Sequence, residues 1–158
     1  MAHFSRRYLL AVVLVFGSAV AVAQNATTIP APQNATPVAT SRVALKGYDP
    51  ISYFTDGKPE QGSAEFTFAF DDTTYWFKNA DHRDKFAADP EHFAPQFDGF
   101  CAVQLSRGKK VEADPEAWTI TNGKLYVFSG KGGVPIFQKE PVNIAEKASE
   151  TFKQLRTQ

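Results

Sequence analysis

The stretch AEFTFAFDDTTYWFKNADHRDKFAADPEHFAPQFDGFC, residues 64–101, decides the fold. Apolar side chains alternate with others before and after an Asp-Asp-Thr segment at residues 71–73. Alternation with a period of two is typical of half-buried strands, and the acidic segment between them favours a turn. The sequence therefore predicts a tight antiparallel β-hairpin that leads into a short helix capped by Asn79. We expect Phe86 to pack this helix back onto the hairpin.

A second hairpin is predicted further along the chain, over residues 118–128. Trp-Thr-Ile-Thr alternates, and an apolar Leu-Tyr-Val-Phe run returns after Asn122-Gly123. Asn-Gly is the preferred two-residue connection between antiparallel strands, because both residues tolerate the left-handed backbone that such turns require. The signal for this hairpin is the clearest one in the chain.

Helices are predicted around the two hairpins. Asp49-Pro50 and Asp89-Pro90 each combine a capping Asp with a Pro, which suits the first helical position. Residues 141–154 form a C-terminal helix whose apolar side chains recur at helical spacing, so that one face should be covered. This apolar stripe consists of Ile144, Ala148, Phe152 and Leu155.

The elements together predict an α+β fold, with two antiparallel β-hairpins packed with short helices in one small domain, residues 43–158. The glycine-rich segment 130–133 is expected to be a flexible loop. It is a poor candidate for a phosphate-binding loop, because no Gly-Lys-Ser or Gly-Lys-Thr follows. No convincing internal repeat is found, although both hairpins lead into helices.

The first residues have the pattern of an export signal. Arg6 and Arg7 precede an apolar run, and the small residues 21–23 offer a cleavage site, which predicts a signal peptide over residues 1–23. An uncleaved anchor is the alternative, although the run is short for a transmembrane helix. The Arg pair partly fits a twin-arginine signal, but the strongly apolar run favours the general secretory route. We expect a periplasmic protein without stable membrane insertion, in which residues 24–42 form a flexible low-complexity linker.

Composition and motifs limit the function. The chain has 17 basic and 17 acidic residues, and removal of the signal leaves it slightly acidic. This balance argues against nucleic acid or an anionic membrane surface as a partner. No serine has a nucleophile-elbow context, and turns and helix caps account for the carboxylates. The sequence therefore predicts no enzyme, with a thiol-dependent enzyme as the least favoured alternative.

The order of elements and the residues at 75–93 resemble the YHS domain family. In members proposed to hold a metal, this segment reads Tyr-x-Phe-Cys-Ser-x-x-Cys-x-x-x-Phe-x-x-x-Pro-x-x-Tyr. Lys78 and His82 stand at the two cysteine positions, so the dithiol is missing. The later run Gly99-Phe100-Cys101-Ala102 is similar to exported members, and the resemblance covers nearly all of residues 43–158. It implies a small module suspected of binding metal. The framework positions that match are Tyr75, Phe77, Phe86, Pro90 and Phe93.

Cys101 is the only cysteine, which excludes an internal disulfide framework. It is a buried thiol, a metal ligand or one half of an intermolecular bridge. Thiolate sulfur selects soft metals such as Cu(I), whereas free cysteines also pack as small hydrophobes. A metal site would need His82 or His92 as a helper, and only the tertiary fold could bring either to the sulfur. The charged stretch around His82 is otherwise typical of a solvated helical face.

Two hypotheses about function follow from these residues. The first is an exported YHS-type binding module that binds copper or another soft metal through Cys101. The alternative is a protein- or small-ligand-interaction domain that holds no metal and uses an aromatic surface. The partner is accordingly a metal ion or a periplasmic protein in the first case, and a protein or organic ligand in the second.

Overall fold

A computed structural model describes residues 42–157, and the predicted signal peptide and nearly all of the predicted linker lie outside this range. The α+β prediction is confirmed: two small sheets pack with short helices. None of the described helices is long and apolar enough to cross a membrane. The strands are β1 (Arg42–Val43), β2 (Ser63–Phe70), β3 (Thr73–Phe77), β4 (Asp114–Thr121) and β5 (Lys124–Phe128), and the helices are α1 (Pro50–Thr55), α2 (Ala80–Ala88), α3 (Pro90–Phe93), α4 (Ala102–Leu105), α5 (Gly133–Lys139) and α6 (Pro141–Arg156).

Both predicted hairpins are present. Strands β2 and β3 pair antiparallel across Asp71 and Asp72, and β4 pairs with β5 across Asn122 and Gly123. All four turn residues have positive φ, the backbone that matches the right-handed twist of the flanking strands. The short strand β1 adds parallel to β3, so Arg42, the last residue of the predicted linker, pairs with the first sheet.

The predicted helix caps are also confirmed. The Asn79 side chain accepts a hydrogen bond from the backbone N–H of His82 at 2.8 Å, and Asp49 accepts one from Ile51 at 2.8 Å. Asp89 accepts from the N–H of His92 at 3.2 Å. Each cap satisfies a backbone donor that the first turn of the helix leaves unpaired.

Aromatic side chains fill the core between the first hairpin and α2. Phe86 is fully buried, and its ring lies 4.8–6.4 Å from the ring centroids of four aromatic residues of β2 and β3, as predicted. At the C-terminus, Ala148 and Phe152 are buried, and Ile144 and Leu155 pack beside buried clusters, so the apolar stripe of α6 is confirmed. The rings around Phe86 belong to Phe68, Phe70, Tyr75 and Phe77.

The glycine-rich segment differs from the prediction at its end, since residues 130–132 form a bend and a turn but Gly133 is helical. Its last residue, Gly133, begins helix α5, and Phe137 of that helix is fully buried. A Cβ built on Gly133 would lie 2.6 Å from the Cβ of Phe128, so only glycine lets the chain pass this close to β5. The glycine therefore marks a close approach that begins a helix rather than a flexible loop.

The structure also contains an internal repeat that the sequence did not reveal. Each half opens with three consecutive residues in the left-handed region, at 45–47 and at 97–99. The aromatic residue that follows forms an isolated β-bridge, Tyr48 with Gln61 and Phe100 with Glu112. A short helix and then a hairpin follow in both halves.

The two hairpins repeat the same strand pairing, including its irregularity. A register shift separates the first pair of each ladder, Ser63 with Phe77 or Asp114 with Phe128, from the pairs nearer the turn. Both second strands end in Tyr-x-Phe, at residues 75–77 and 126–128. This motif, and the glycine that ends each left-handed triplet with the aromatic residue after it, are the main sequence similarities between the halves. They are too short to predict a repeat from the sequence.

The close approach at Gly133 gives a test of the packing between α5 and β5. Gly133→Ala should lower the free energy of unfolding by about 1–3 kcal/mol, because the added methyl group meets the Cβ of Phe128, which cannot rotate away. Gly130→Ala is the matched control, since nothing lies within 4 Å of its Cβ position. It should change stability by less than about 0.5 kcal/mol. Equal effects in urea unfolding would contradict this packing.

Candidate functional site

The carboxylate of Asp49 lies at the centre of a buried polar cluster. Asp49 is 0% exposed. Its Oδ1 accepts from the N–H of Ile51, and its Oδ2 accepts from the N–H of Lys78 at 3.0 Å and faces Nδ1 of His82 at 2.7 Å. A buried carboxylate is tolerated only when it is hydrogen-bonded in this way. One side chain therefore ties together the start of α1, the residue after β3 and the first turn of α2.

His82 does not lie on a solvated face, which corrects that part of the sequence interpretation. Its side chain is 13% exposed and is held by Asp49. In a neutral imidazole, a carboxylate bound at Nδ1 places the proton there and leaves Nε2 as an acceptor. The capping role of Asp49 was visible in the sequence, but its contact with a residue 33 positions away is set by the tertiary fold.

Lys78, which the predicted YHS resemblance places at a cysteine position, keeps its positive charge and is paired with acidic neighbours. Its Nζ lies 2.5 Å from Asp56 and 2.9 Å from Glu60. Hydrogen bonds to these two carboxylates raise the pKa of Lys78, so that its ammonium stays charged. In turn, Lys78 lowers the pKa of Asp56, and Lys58 together with Lys78 lowers that of Glu60. A charged ammonium offers no lone pair, so this position cannot coordinate a metal.

Cys101 lies in the second half of the repeat, at the position equivalent to Asp49. The N–H of Asp49 donates to the carbonyl of Glu60, and the N–H of Cys101 donates in the same way to Val111, each at 2.9 Å. Cys101 is a free cysteine, 1% exposed, and it caps α4 without a side-chain hydrogen bond. This environment fits the alternative in which the thiol packs as a small hydrophobe. Its cluster contains Ala102, Val103, Ala117, Tyr126, Phe128 and Phe137.

His92 is exposed, and its ring packs against two phenylalanines. The ring centroids lie 4.6 Å from Phe93 and 5.4 Å from Phe54. Among residues 42–157, no group of three or more His, Cys, Asp or Glu residues could hold a metal ion. Cys101, His82 and His92 are therefore not brought together as a three-ligand site. Metal binding through Cys101 alone remains a prediction that titration with Cu(I) can test.

Helices α5 and α6 carry exposed apolar side chains. Ile136 and Val142 are the large apolar residues that are exposed in the described part of the chain, at 41% and 62%. Val142 lines cleft A, of about 300 Å³, whose floor includes Tyr126 and Phe137. Ile136 lines cleft B, of about 360 Å³, together with Val103 and Ile144 among others. Exposed apolar groups beside concave surfaces are typical of binding sites.

The rims of the two clefts differ in charge. Arg107, Lys139 and Lys147 line cleft B, with Glu140 as its acidic residue. Cleft A is lined by one basic and one acidic residue, Lys124 and Glu146, and by Tyr126, whose phenol can donate a hydrogen bond. Cleft B therefore favours an acidic ligand, and cleft A an apolar one with a hydrogen-bond acceptor.

The chain matches no protein-family model, no curated protein and no solved structure. The resemblance to the YHS family accordingly remains a prediction. Any assignment of function rests on the contacts, charges and surfaces described above.

The buried contacts of Asp49 predict a large difference between the two Asp-Pro helix caps. Asp49→Ala should lower the free energy of unfolding by about 3 kcal/mol, because it removes a cap and leaves His82 and the N–H of Lys78 without their acceptor. Asp89→Ala removes an exposed cap alone and should cost about 1 kcal/mol. Similar losses for the two variants, measured by denaturant unfolding, would show that the buried cluster adds nothing.

Proposed function

We propose that this chain is an exported, non-enzymatic interaction domain that binds a segment of a partner protein on the face formed by α5 and α6. The observation that carries the proposal is the exposure of Ile136 and Val142 on consecutive helices, each beside a cleft. Elsewhere among residues 42–157 the large apolar side chains are at least partly covered. The proposal adopts the interaction hypothesis, with an aliphatic contact face in place of an aromatic one.

The size and chemistry of the clefts support a polypeptide as the ligand. Their volumes of about 300 and 360 Å³ lie at the low end of small-molecule sites, about 300–1,000 Å³, and suit one or two side chains each. Residues 142, 145 and 146 of α6 line cleft A and residues 143, 144 and 147 line cleft B, so the clefts lie on different sides of this helix, and we expect each to accept an apolar side chain. The basic rim of cleft B further favours acidic residues beside those anchors.

We propose a periplasmic location for the domain and prefer a protein partner to a metal ion. The predicted signal peptide at residues 1–23 would bring the domain to the periplasm, where its partner would be an exported protein. The interaction hypothesis is preferred to metal binding because Cys101 packs among apolar side chains and His82 is held by Asp49. The function of the thiol in this account is to fill the core of the second half.

An acetylated acidic peptide with two leucines tests the contact face. Its binding, followed by fluorescence anisotropy and by ¹⁵N–¹H NMR, should shift backbone amides of α5 and α6. Val142→Ser and Ile136→Ser should each weaken binding by about tenfold, because anchors in such interfaces contribute about 1–2 kcal/mol or more. Lys147→Gln should reduce the salt dependence of binding.

The controls separate contact from general effects. Lys85→Gln makes the same charge change on α2 and should leave binding unchanged. A peptide with alanine in place of leucine should bind weakly, and one with lysine in place of its acidic residues weaker still. Shifts spread over the whole domain, or equal binding by the three peptides, would contradict the proposal. Concentration-dependent shifts without peptide would assign the face to a second copy of the chain instead.

A further inference from the structure

A third cavity, cleft C, lies where the first half of the repeat meets the second. It has a volume of about 230 Å³ and is formed by the turn of the first hairpin, the segment Gln96–Gly99 and the last turn of α6. Polar and aromatic groups share its walls. The lining includes Phe70, Asp71, Tyr75, Phe97, Asp98 and Arg156.

Tyr75 presents an unpartnered hydroxyl to cleft C. The residue is 1% exposed, and its oxygen has no hydrogen-bond partner among residues 42–157. Every fully buried side-chain oxygen and nitrogen among these residues has a hydrogen-bond partner. Because the Tyr75 oxygen has none, it is not fully buried, and we infer that it is exposed to cleft C, which the Tyr75 side chain lines. Buried tyrosine hydroxyls nearly always find a partner, which makes this one a candidate contact for a ligand.

Among residues 42–157 the Asp98 carboxylate has no hydrogen-bond or ion-pair partner, although the positive charges of Arg156, Arg42 and Lys110 act to lower its pKa. Arg156 pairs with Asp71 at 3.4 Å and Asp72 at 3.8 Å, and Arg42 binds the backbone carbonyl of Asp98 rather than its side chain. Burial raises the pKa of Asp98, as expected for a carboxylate that is partly desolvated. The residue also has a left-handed backbone, φ 52°, a conformation that costs energy in residues other than glycine.

We propose that cleft C binds a small organic cation, an ammonium group on a short apolar stem. Three carboxylates line the cleft, and Arg156, its one basic lining residue, pairs with Asp71, while Arg42 contacts the backbone of Asp98 from outside the lining. The carboxylates of Glu91 and Asp98 therefore make no ion pair with a described residue. The ammonium group donates to the Asp98 carboxylate and the Tyr75 oxygen, and the stem packs on aromatic rings. An organic cation fits better than a metal ion, because the described residues provide no group of three metal ligands.

The volume of cleft C and its aromatic walls limit the size of the ligand. The rings of Phe97 and Phe152 lie 5.9 Å apart at one side of cleft C, and Phe70 lines another part of it. A volume of about 230 Å³ is below the usual range for drug-sized ligands, about 300 Å³ and more. The inference therefore concerns amines of a few heavy atoms, a different ligand and a different surface from the partner segment proposed for α5 and α6.

Titration of the full, ¹⁵N-labelled chain with n-butylamine tests the inference. Saturable chemical-shift changes are expected at the amides of Gln96–Gly99 and Thr73–Phe77, whereas the neutral analogue 1-butanol should give none. Asp98→Asn should weaken butylamine binding by about tenfold, since it removes a charge-assisted contact. Tyr75→Phe, which removes only the hydroxyl, should weaken it by about fivefold.

Two controls keep a loss of folding from being read as a loss of binding. Asn adopts the left-handed backbone readily, so Asp98→Asn should be at least as stable as the unchanged chain. Glu65→Gln removes a carboxylate from an exposed position and should leave binding unchanged. The inference is overturned if butylamine gives no saturable shifts, if butanol binds equally well, or if both cleft variants bind like the unchanged chain.

Discussion

The first half of the domain depends on the carboxylate of Asp49, which is shielded from water and bonded on both oxygens. Through the N–H groups of Ile51 and Lys78 and the ring of His82, it fixes α1, the end of β3 and α2 in one arrangement. A charge in this position would be costly if any of these partners moved away. The aromatic contacts of Phe86 with the hairpin then follow, because α2 is already held beside β3.

The internal repeat gives this interaction an apolar counterpart. Cys101 has the backbone position of Asp49, but among residues 42–157 its side chain makes no cap hydrogen bond, and apolar residues surround it. The same backbone arrangement is thus stabilised by a polar cluster in the first half and by apolar packing in the second. This contrast explains how Cys101 can be a core residue at the position where the first half has a buried, hydrogen-bonded carboxylate.

Local signals explain what the sequence predicted correctly. The turns at Asp71-Asp72 and Asn122-Gly123, and the caps at Asn79, Asp49 and Asp89, are each decided by a few neighbouring residues. Features that depend on distant contacts were missed or misread. Helix α5 requires Gly133 to pass beside Phe128, and the burial of His82 requires Asp49. The repeat consists of shared backbone geometry and strand register, while most side chains differ between the two halves. The clefts bring together residues from different elements, so no local sequence motif predicts them.

The three clefts are lined partly by core residues and partly by exposed ones, so the packed core also shapes the candidate binding surfaces. Clefts A and B lie around α5 and α6, and cleft C lies at the junction of the halves, all of them outside the Asp49 cluster. We therefore infer that the Asp49 cluster has a structural role. A double-mutant cycle with Asp49→Asn and His82→Ala, followed by urea unfolding, measures it most directly. We expect a coupling energy of about 1–3 kcal/mol between the two side chains. Effects that add to within about 0.5 kcal/mol would contradict the central role of this interaction.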